Sequence, residues 1–236
     1  MKKLILSTAA LALSAGFALA DTVRMGTEGA YAPWNFINDA GEVDGFEREL
    51  GDELCKRAEL ECTWVTNEWD SIIPNLVSGN YDTIIAGMSI TAERDEVIDF
   101  TQAYTPPDPS AYVALSADVD PAGGIVAAQA ATIQAGFIAA QGWTLVEFAT
   151  PEETVAAVRS GEADAVLADK SFLDTVVGSD GLVMLERMEQ IGGGVGMGVR
   201  ESDGELKATF DAAIQSMKDD GTLNALITKW EVASTF

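Results

Sequence analysis

The 236-residue chain has no histidine and only two cysteines, Cys55 and Cys62. Without imidazole, Ser-His-Asp and Cys-His nucleophile machinery is excluded, and so is every His-containing metal site. No metal is expected. Cations are scarce: 14 Lys and Arg stand against 38 Asp and Glu, for a net charge of -24. Such a field repels phosphate backbones, so no nucleic-acid partner is expected, and it favours the approach of cations. A salty habitat selects the same surface, so the charge alone does not identify a ligand. Long apolar runs are missing too, except at the start.

That exception reads Met1-Lys2-Lys3, then an apolar run over 4–19, then Ala18-Leu19-Ala20 before Asp21. A charged head, an apolar middle and a small-x-small end mark a secretory leader. The run is too short and too Ala-rich for a membrane anchor. Cleavage after Ala20 and export to the periplasm are expected. Losing Lys2 and Lys3 deepens the net charge by two, to -26. In an exported chain an isolated cysteine pair reads as one disulfide, here between a helix end and a strand start. Two free buried thiols are the alternative.

The remaining pattern alternates strands with amphipathic helices, which gives an α/β class. Phe46, Leu50, Leu54 and Ala58 share one helical face, so 46–58 is a predicted helix. Thr150-Pro151-Glu152-Glu153 is a strong helix start: an N-cap, Pro at the first helical position and a capping-box Glu. Strands are predicted at 22–25, 61–66, 83–86, 110–115, 124–128, 144–148, 164–168 and 182–185. Helices are predicted at 71–78, from 132, at 170–177, and in two runs near the C-terminus. The segment 78–86, Ser-Gly-Asn-Tyr-Asp-Thr-Ile-Ile-Ala, is echoed at 160–168, Ser-Gly-Glu-Ala-Asp-Ala-Val-Leu-Ala. Each is a helix end, a Ser-Gly stop, an Asp and a strand closing on Ala. Two such halves imply two α/β lobes.

Three strand-end loops carry chemistry. After 83–86, Thr91 reads as an N-cap with Arg94 at the third helical position. Free N–H groups and a guanidinium fork together suit a carboxylate. An Arg paired to a neighbouring acid on a surface helix is the plainer alternative. Gly26 to Phe36 combines glycine, proline and three aromatics, the mixture of a ligand wall, although Trp34 and Phe36 also suit a core. The echo places Asp169 where the first half has its Gly87–Ser89 loop. Pro106-Pro107-Asp108-Pro109 reads as a crossing between lobes. Gly192 to Gly198 does not fit a dinucleotide fingerprint and leads into no helix, so it reads as a flexible return crossing with no cofactor expected.

With these pieces in place the chain resembles the periplasmic solute-binding proteins of polar amino-acid ABC transporters, of the lysine/arginine/ornithine-binding type in solute-binding protein family 3. The matching stretches are 26–34, Gly45-Phe46-Glu47, Leu54-Cys55-Lys56-Arg57, Cys62-Thr63-Trp64, 69–74, Ser89-Ile90-Thr91 with Arg94, and Asp220-Gly221-Thr222. The similarity is dense in the first half and thin in the second. It implies a two-lobed periplasmic-binding-protein fold of type II. Lobe 1 would comprise 21–105 and 192–236, lobe 2 would comprise 110–188, and crossings would lie at 106–109 and 189–191.

The resemblance also implies roles. Arg94 would clamp an α-carboxylate, with backbone N–H groups near Ser89 and Thr132. Asp169 would take the α-ammonium, with the Gly87 carbonyl and the Ser89 hydroxyl. Tyr31 and Trp69 would sandwich the side chain, and Glu28 would meet a basic side chain, a solvated loop carboxylate being the alternative. Cys55 and Cys62 match the family's disulfide. Ala130-Ala131 departs from the family's Gly-Ser/Thr before Thr132, and Met88 replaces a polar residue. The function implied is capture of one basic or polar amino acid, or an opine, by a monomer that delivers it to an inner-membrane ABC permease without catalysis. A cyclohexadienyl-dehydratase-like enzyme using Glu28 and Asp169, and a ligand-sensing module for a receptor, are the alternatives.

Overall fold

Two five-stranded sheets organise residues 22–236, the part of the chain that the computed structural model describes. The expected leader, with its cleavage point, lies outside the described residues.

In chain order, β1 (Val23–Thr27) opens the first sheet. A small antiparallel sheet follows, of β2 (Ala30–Tyr31), β3 (Asn35–Ile37) and β4 (Val43–Asp44). Then come α1 (Phe46–Arg57) and β5 (Cys62–Thr66), joined by the Cys55–Cys62 disulfide. A 3-10 turn (Trp69–Ser71) leads into α2 (Ile72–Val77), with Pro74 in its first turn where no N–H partner is lost. β6 (Thr83–Ile84), the short α3 (Ala92–Asp95) and β7 (Asp99–Phe100) complete this run.

The second sheet is built from β8 (Ser110–Ala114), β9 (Ile125–Gln129), β10 (Thr144–Phe148), β11 (Ala165–Asp169) and β12 (Val183–Glu189). Its helices are α4 (Ile133–Gln141), α5 (Pro151–Ser160) and α6 (Lys170–Asp174). The chain then returns to the first sheet as β13 (Gly198–Val199) and ends in α7 (Gly204–Asp219) and α8 (Thr222–Trp230). The strand orders are β5-β1-β6-β13-β7 and β10-β9-β11-β8-β12. Each sheet has a parallel core with antiparallel strands beside it. This is the two-lobed α/β fold expected.

Local signals explain most boundaries. Thr150 accepts from the Glu153 N–H while the Glu153 side chain accepts from the Thr150 N–H, completing the capping box. Phe46, Leu50 and Leu54 are fully buried, facing Phe210, Ile214, Leu223 and Ile227 of the two C-terminal helices in one core. Burial of such side chains contributes ~1.5–3 kcal/mol each. Gly79 and Gly161, the two Ser-Gly stops, both take the left-handed backbone that ends a helix, at φ +80° and +78°.

Several elements differ from expectation. The strand at 83–86 is regular only at Thr83–Ile84, because Ile85 bonds to Gly26 and the chain then turns at Gly87. The helix at 170–177 ends at Asp174, where Thr175 and Val176 bond three residues back instead of four. The last strand of the second sheet runs to Glu189, well past residue 185, through a register shift opposite β8. The glycines at 192–198 serve close approach between backbones. A Cβ at Gly194 would lie 2.6 Å from the Thr105 oxygen, and one at Gly193 2.8 Å from the Ile90 oxygen. The return crossing is therefore packed, and Val195 bridges to both Ser89 and Thr105.

The sequence echo has a shared geometry. The Asp82 N–H donates to the Arg24 carbonyl at 2.8 Å, and the Arg24 N–H donates to Asp82 Oδ2 at 2.9 Å. The Asp164 N–H donates to the Ile125 carbonyl at 2.8 Å, and the Ile125 N–H to Asp164 Oδ2 at 2.7 Å. In each lobe an Asp staples the strand it precedes to its parallel neighbour. Asp82 also meets the Arg24 and Arg200 guanidiniums, at 2.9 and 3.1 Å. Burial would raise its pKa, but these hydrogen bonds outweigh it and hold the carboxyl at about 2. A lowered folded-state pKa gives stability that is present above the ordinary value of 3.8 and lost as pH falls through 2. We expect Asp82→Asn to lower unfolding free energy near neutrality by ~1–2 kcal/mol, the half-exposed Arg24 limiting the effect. The variant should also lose part of the acid dependence between pH 4 and 2. Urea unfolding across that range checks both.

Candidate functional site

Three strand ends of the first sheet and two of the second face one cavity. Glu28 and Tyr31 follow β1, Trp69 follows β5, and Gly87, Ser89 and Arg94 follow β6. Thr132 follows β9, and Asp169 closes β11. All eight residues singled out in the sequence line this cavity, together with Gln129, Ile133 and Gln134. The carboxyl ends of parallel strands are where α/β sheets place ligands.

Arg94 is positioned as its spacing predicts. Thr91 accepts from the Arg94 N–H at 3.2 Å and so starts α3. The guanidinium donates to the Ser89 carbonyl at 2.9 Å and lies 5.3 Å over the Trp69 ring. It reaches towards the Ala131 carbonyl of the second lobe at 3.5 Å. No carboxylate is among these partners, so the alternative of a surface ion pair is not what forms. Burial pulls its pKa down to about 10, against the pull of Asp169 and Glu93.

Asp169 enters from the second lobe. Its Oδ2 accepts from the Tyr31 hydroxyl at 3.0 Å, and its Oδ1 from Gln134 Nε2 at 2.7 Å. No cation contacts it directly. Burial, helped by the nearby Asp108 charge, pushes its pKa up to about 7. Glu28 is likewise raised to about 7, chiefly by burial. Its Oε1 accepts from Gln129 Nε2 at 2.6 Å. Among the described residues the cavity thus holds one cation and two carboxyls, and none of the three has an opposite charge within hydrogen-bond reach.

Tyr31 and Trp69 are both walls. The Tyr31 ring stacks on Phe172 at 4.8 Å and 14°, and its hydroxyl also fixes Asp169. Trp69 donates from Nε1 to the Ala131 carbonyl at 3.3 Å. Ala131 stands at φ +59°, a backbone that favours glycine. In the family's pattern this position carries Ser or Thr and the glycine precedes it, where this chain has Ala130; the turn forms without either. Thr132 still caps α4: its hydroxyl accepts from the Ala135 N–H at 3.2 Å and donates to the Gln129 carbonyl at 2.6 Å. The first N–H groups of α4 consequently open beside the cavity. Trp34, offered as wall or core, is core: it is fully buried, and its Nε1 donates to Ser171 across the lobes at 2.8 Å.

Sequence reasoning missed four residues. Gln129 and Gln134 hold Glu28 and Asp169; the visible signal was a polar residue ending the apolar run 125–128, and another just inside the next helix. Phe172 backs Tyr31. Glu47, fully buried on α1, accepts from the Gly87 N–H at 2.6 Å, from Asn35 Nδ2 at 2.7 Å and from the Tyr104 hydroxyl. Asn35 in turn accepts from the Gly29 N–H at 2.7 Å. One carboxylate so ties two of the site loops to the segment that leaves the first lobe. Burial raises its pKa. Its signal was an acid placed between Phe46 and Leu50 on an otherwise apolar face.

Comparison with known proteins agrees with this architecture. The histidine-binding periplasmic protein of Escherichia coli is 33% identical, with 98% of this chain and 97% of that one covered. The octopine-binding periplasmic protein of Rhizobium meliloti is 31% identical, over 94% and 95%. The crystal structure of a periplasmic His/Glu/Gln/Arg/opine family-binding protein from Silicibacter pomeroyi, in complex with lysine, is 72% identical. It superposes with a TM-score of 0.88 and covers 91% of this chain and all of that one. The model of the bacterial extracellular solute-binding proteins, family 3, matches residues 23–233, and the chain belongs to that family.

Proposed function

We propose that the protein binds one amino acid with a cationic side chain between its lobes, in the periplasm, and presents it to an inner-membrane ABC permease. The observation that carries this reading is the pair Arg94 and Asp169. They bring opposite charges from different lobes into one cavity, and each lacks a counter-ion among the described residues. A zwitterion supplies both missing partners at once: its carboxylate to Arg94 and the α4 N–H groups, its ammonium to Asp169, the Gly87 carbonyl and the Ser89 hydroxyl. Desolvating either charge unpaired costs several kcal/mol, so tight binding requires both lobes. Tyr31 and Trp69 flank the side chain, and Glu28 receives its cationic end.

Relatives support the ligand class. Their names give histidine, octopine, and lysine, arginine and ornithine, and the 72% identical structure holds lysine. The lobes would divide at 21–105 with 192–236 and at 110–188. Ligand-driven closure would turn on the crossings 106–109 and 189–191. The protein would act as a monomer without chemistry of its own. A neighbour of the same fold is an ancestral amino-acid-binding precursor of cyclohexadienyl dehydratase, 27% identical. Arogenate incubated with the protein is expected to stay unchanged.

Two measurements test the binding reading. Arg94→Met and Asp169→Asn should each weaken lysine binding by at least about 100-fold in calorimetry, as expected for stripping one partner from a buried charge pair. Asp169→Asn should leave the ligand-free melting temperature unchanged or raised, because it removes a carboxyl whose ionised form burial disfavours. Unaltered lysine affinity in both variants would remove the reading.

The pH dependence has a definite sign. Asp169 and Glu28 sit near 7 where the two lobes meet in this structure and must ionise to meet a cation. Protons therefore favour the free form. Lysine affinity should be highest above pH 7 and fall below it, by about tenfold per pH unit for each proton taken up. Calorimetry in buffers of different ionisation heat should register proton release on binding at pH 6.

A further inference from the structure

Glu28 and Gln129 belong to different lobes and meet at the wall of the cavity, without touching Arg94 or Asp169. The Gln129 amide has two N–H bonds, and both are committed: one to Glu28 Oε1 at 2.6 Å and one to the Ala149 carbonyl at 3.0 Å. The Ala149 carbonyl is a pure acceptor, as is Glu28 when ionised, so only the NH2 end of the amide can face both. The side chain is buried and its orientation is fixed by chemistry. Glu28 consequently has one lone pair of Oε1 taken from inside the protein, and Oε2 is the oxygen left wholly open to a guest.

A carboxylate with one free oxygen treats two kinds of cation differently. An ammonium is a compact charge that is well served by a single oxygen. A guanidinium gains most from two parallel N–H···O bonds to both oxygens. We infer that Gln129 is a specificity-determining residue: by masking Oε1 of Glu28 it selects an ammonium-bearing side chain, as in lysine or ornithine, over a guanidinium. The inference rests on the proposed reading that the cavity takes a basic amino acid. Gln129 needs no contact with the ligand for this; it acts through Glu28.

The direction of the test is set by the same geometry. Removing the amide frees the second oxygen and should help arginine more than lysine. It also withdraws a hydrogen bond that favours ionised Glu28, which weakens any cation. The ratio of the two affinities cancels that common loss, so the ratio is the readout. Lysine and arginine would be titrated into the mature protein and into Gln129→Met, whose side chain has similar length and no donor. Wild type should prefer lysine. In the variant the arginine-to-lysine affinity ratio should rise by at least about tenfold, the worth of one charge-assisted bond. Gln129→Asn, which withdraws the amide by one methylene and keeps the strand end polar, should shift the ratio the same way and serves if the Met variant does not fold. Binding of neither amino acid by wild type would overturn the underlying reading. A wild-type preference for arginine, or an unchanged ratio in a folded variant that still binds lysine, would overturn the role of Gln129 alone.

Discussion

An unmatched cation and an unmatched carboxyl facing the same enclosed space form the constraint around which this molecule is arranged. Among the described residues Arg94 has carbonyl acceptors and a ring face for company, and Asp169 a phenol and an amide. Each group is displaced from its ordinary pKa towards its neutral form. A protein that needed only to fold would pair them or expose them. Keeping them apart stores a demand for opposite charge that a zwitterionic guest satisfies. With the groups on separate lobes, a guest that met both would hold the lobes together, and affinity would become closure.

Holding such groups in place takes rigid support. In the first lobe that support is Glu47, a carboxylate that accepts from Gly87 and Tyr104 directly and reaches Gly29 through Asn35. Gly87 carries a carbonyl proposed to face the ligand, and Gly29 adjoins Glu28. Tyr104 lies just ahead of the first crossing, where its N–H bonds to the Val195 carbonyl of the return strand. The loops at Gly29 and Gly87 and the segment at Tyr104 are therefore anchored to one buried point. In the second lobe, Gln134 bonds Asp169 and Ser110, so the carboxyl is tied to the first residue after the same crossing. The cavity residues are thus bonded to the segments on either side of 106–109, so a rotation at that crossing would move them as a unit.

The legible part of this arrangement was the part written in local chemistry. Thr91, Thr150 and the Ser-Gly stops announce helix ends by hydrogen-bonding rules that need no tertiary context. The repeated Asp of the two halves was visible as a pattern, and its reason emerged only from the reciprocal bonds to Arg24 and Ile125. Strand-end placement brought all eight candidate residues to one cavity, because strands with a common direction must end together. What stayed hidden depends on distances across the chain. Nothing local to Gln129 tells that Glu28, 101 positions earlier, will lie within 2.6 Å. Nor does Gly194 announce that its hydrogen stands against the Thr105 carbonyl; its neighbours suggest looseness, where packing demands the smallest residue.

Charge balance carries the argument one step further. With Arg94 charged and both Glu28 and Asp169 ionised, the cavity has a net charge of minus one. A basic amino acid carries plus one, so the closed complex is neutral inside. An acidic amino acid would leave the interior at minus two, at a cost that grows as water leaves. A neutral amino acid would strand the Glu28 charge, but that carboxyl sits near 7 and can take up a proton at small expense. A cleft so charged would be strict against anions and lenient towards neutral guests, and the acidic exterior would reinforce the first tendency by drawing cations towards its mouth. Selectivity on this account is set by two levels: the sum of buried charges decides which class of amino acid can be enclosed, and the geometry of the oxygens left free on Glu28 decides among members of that class.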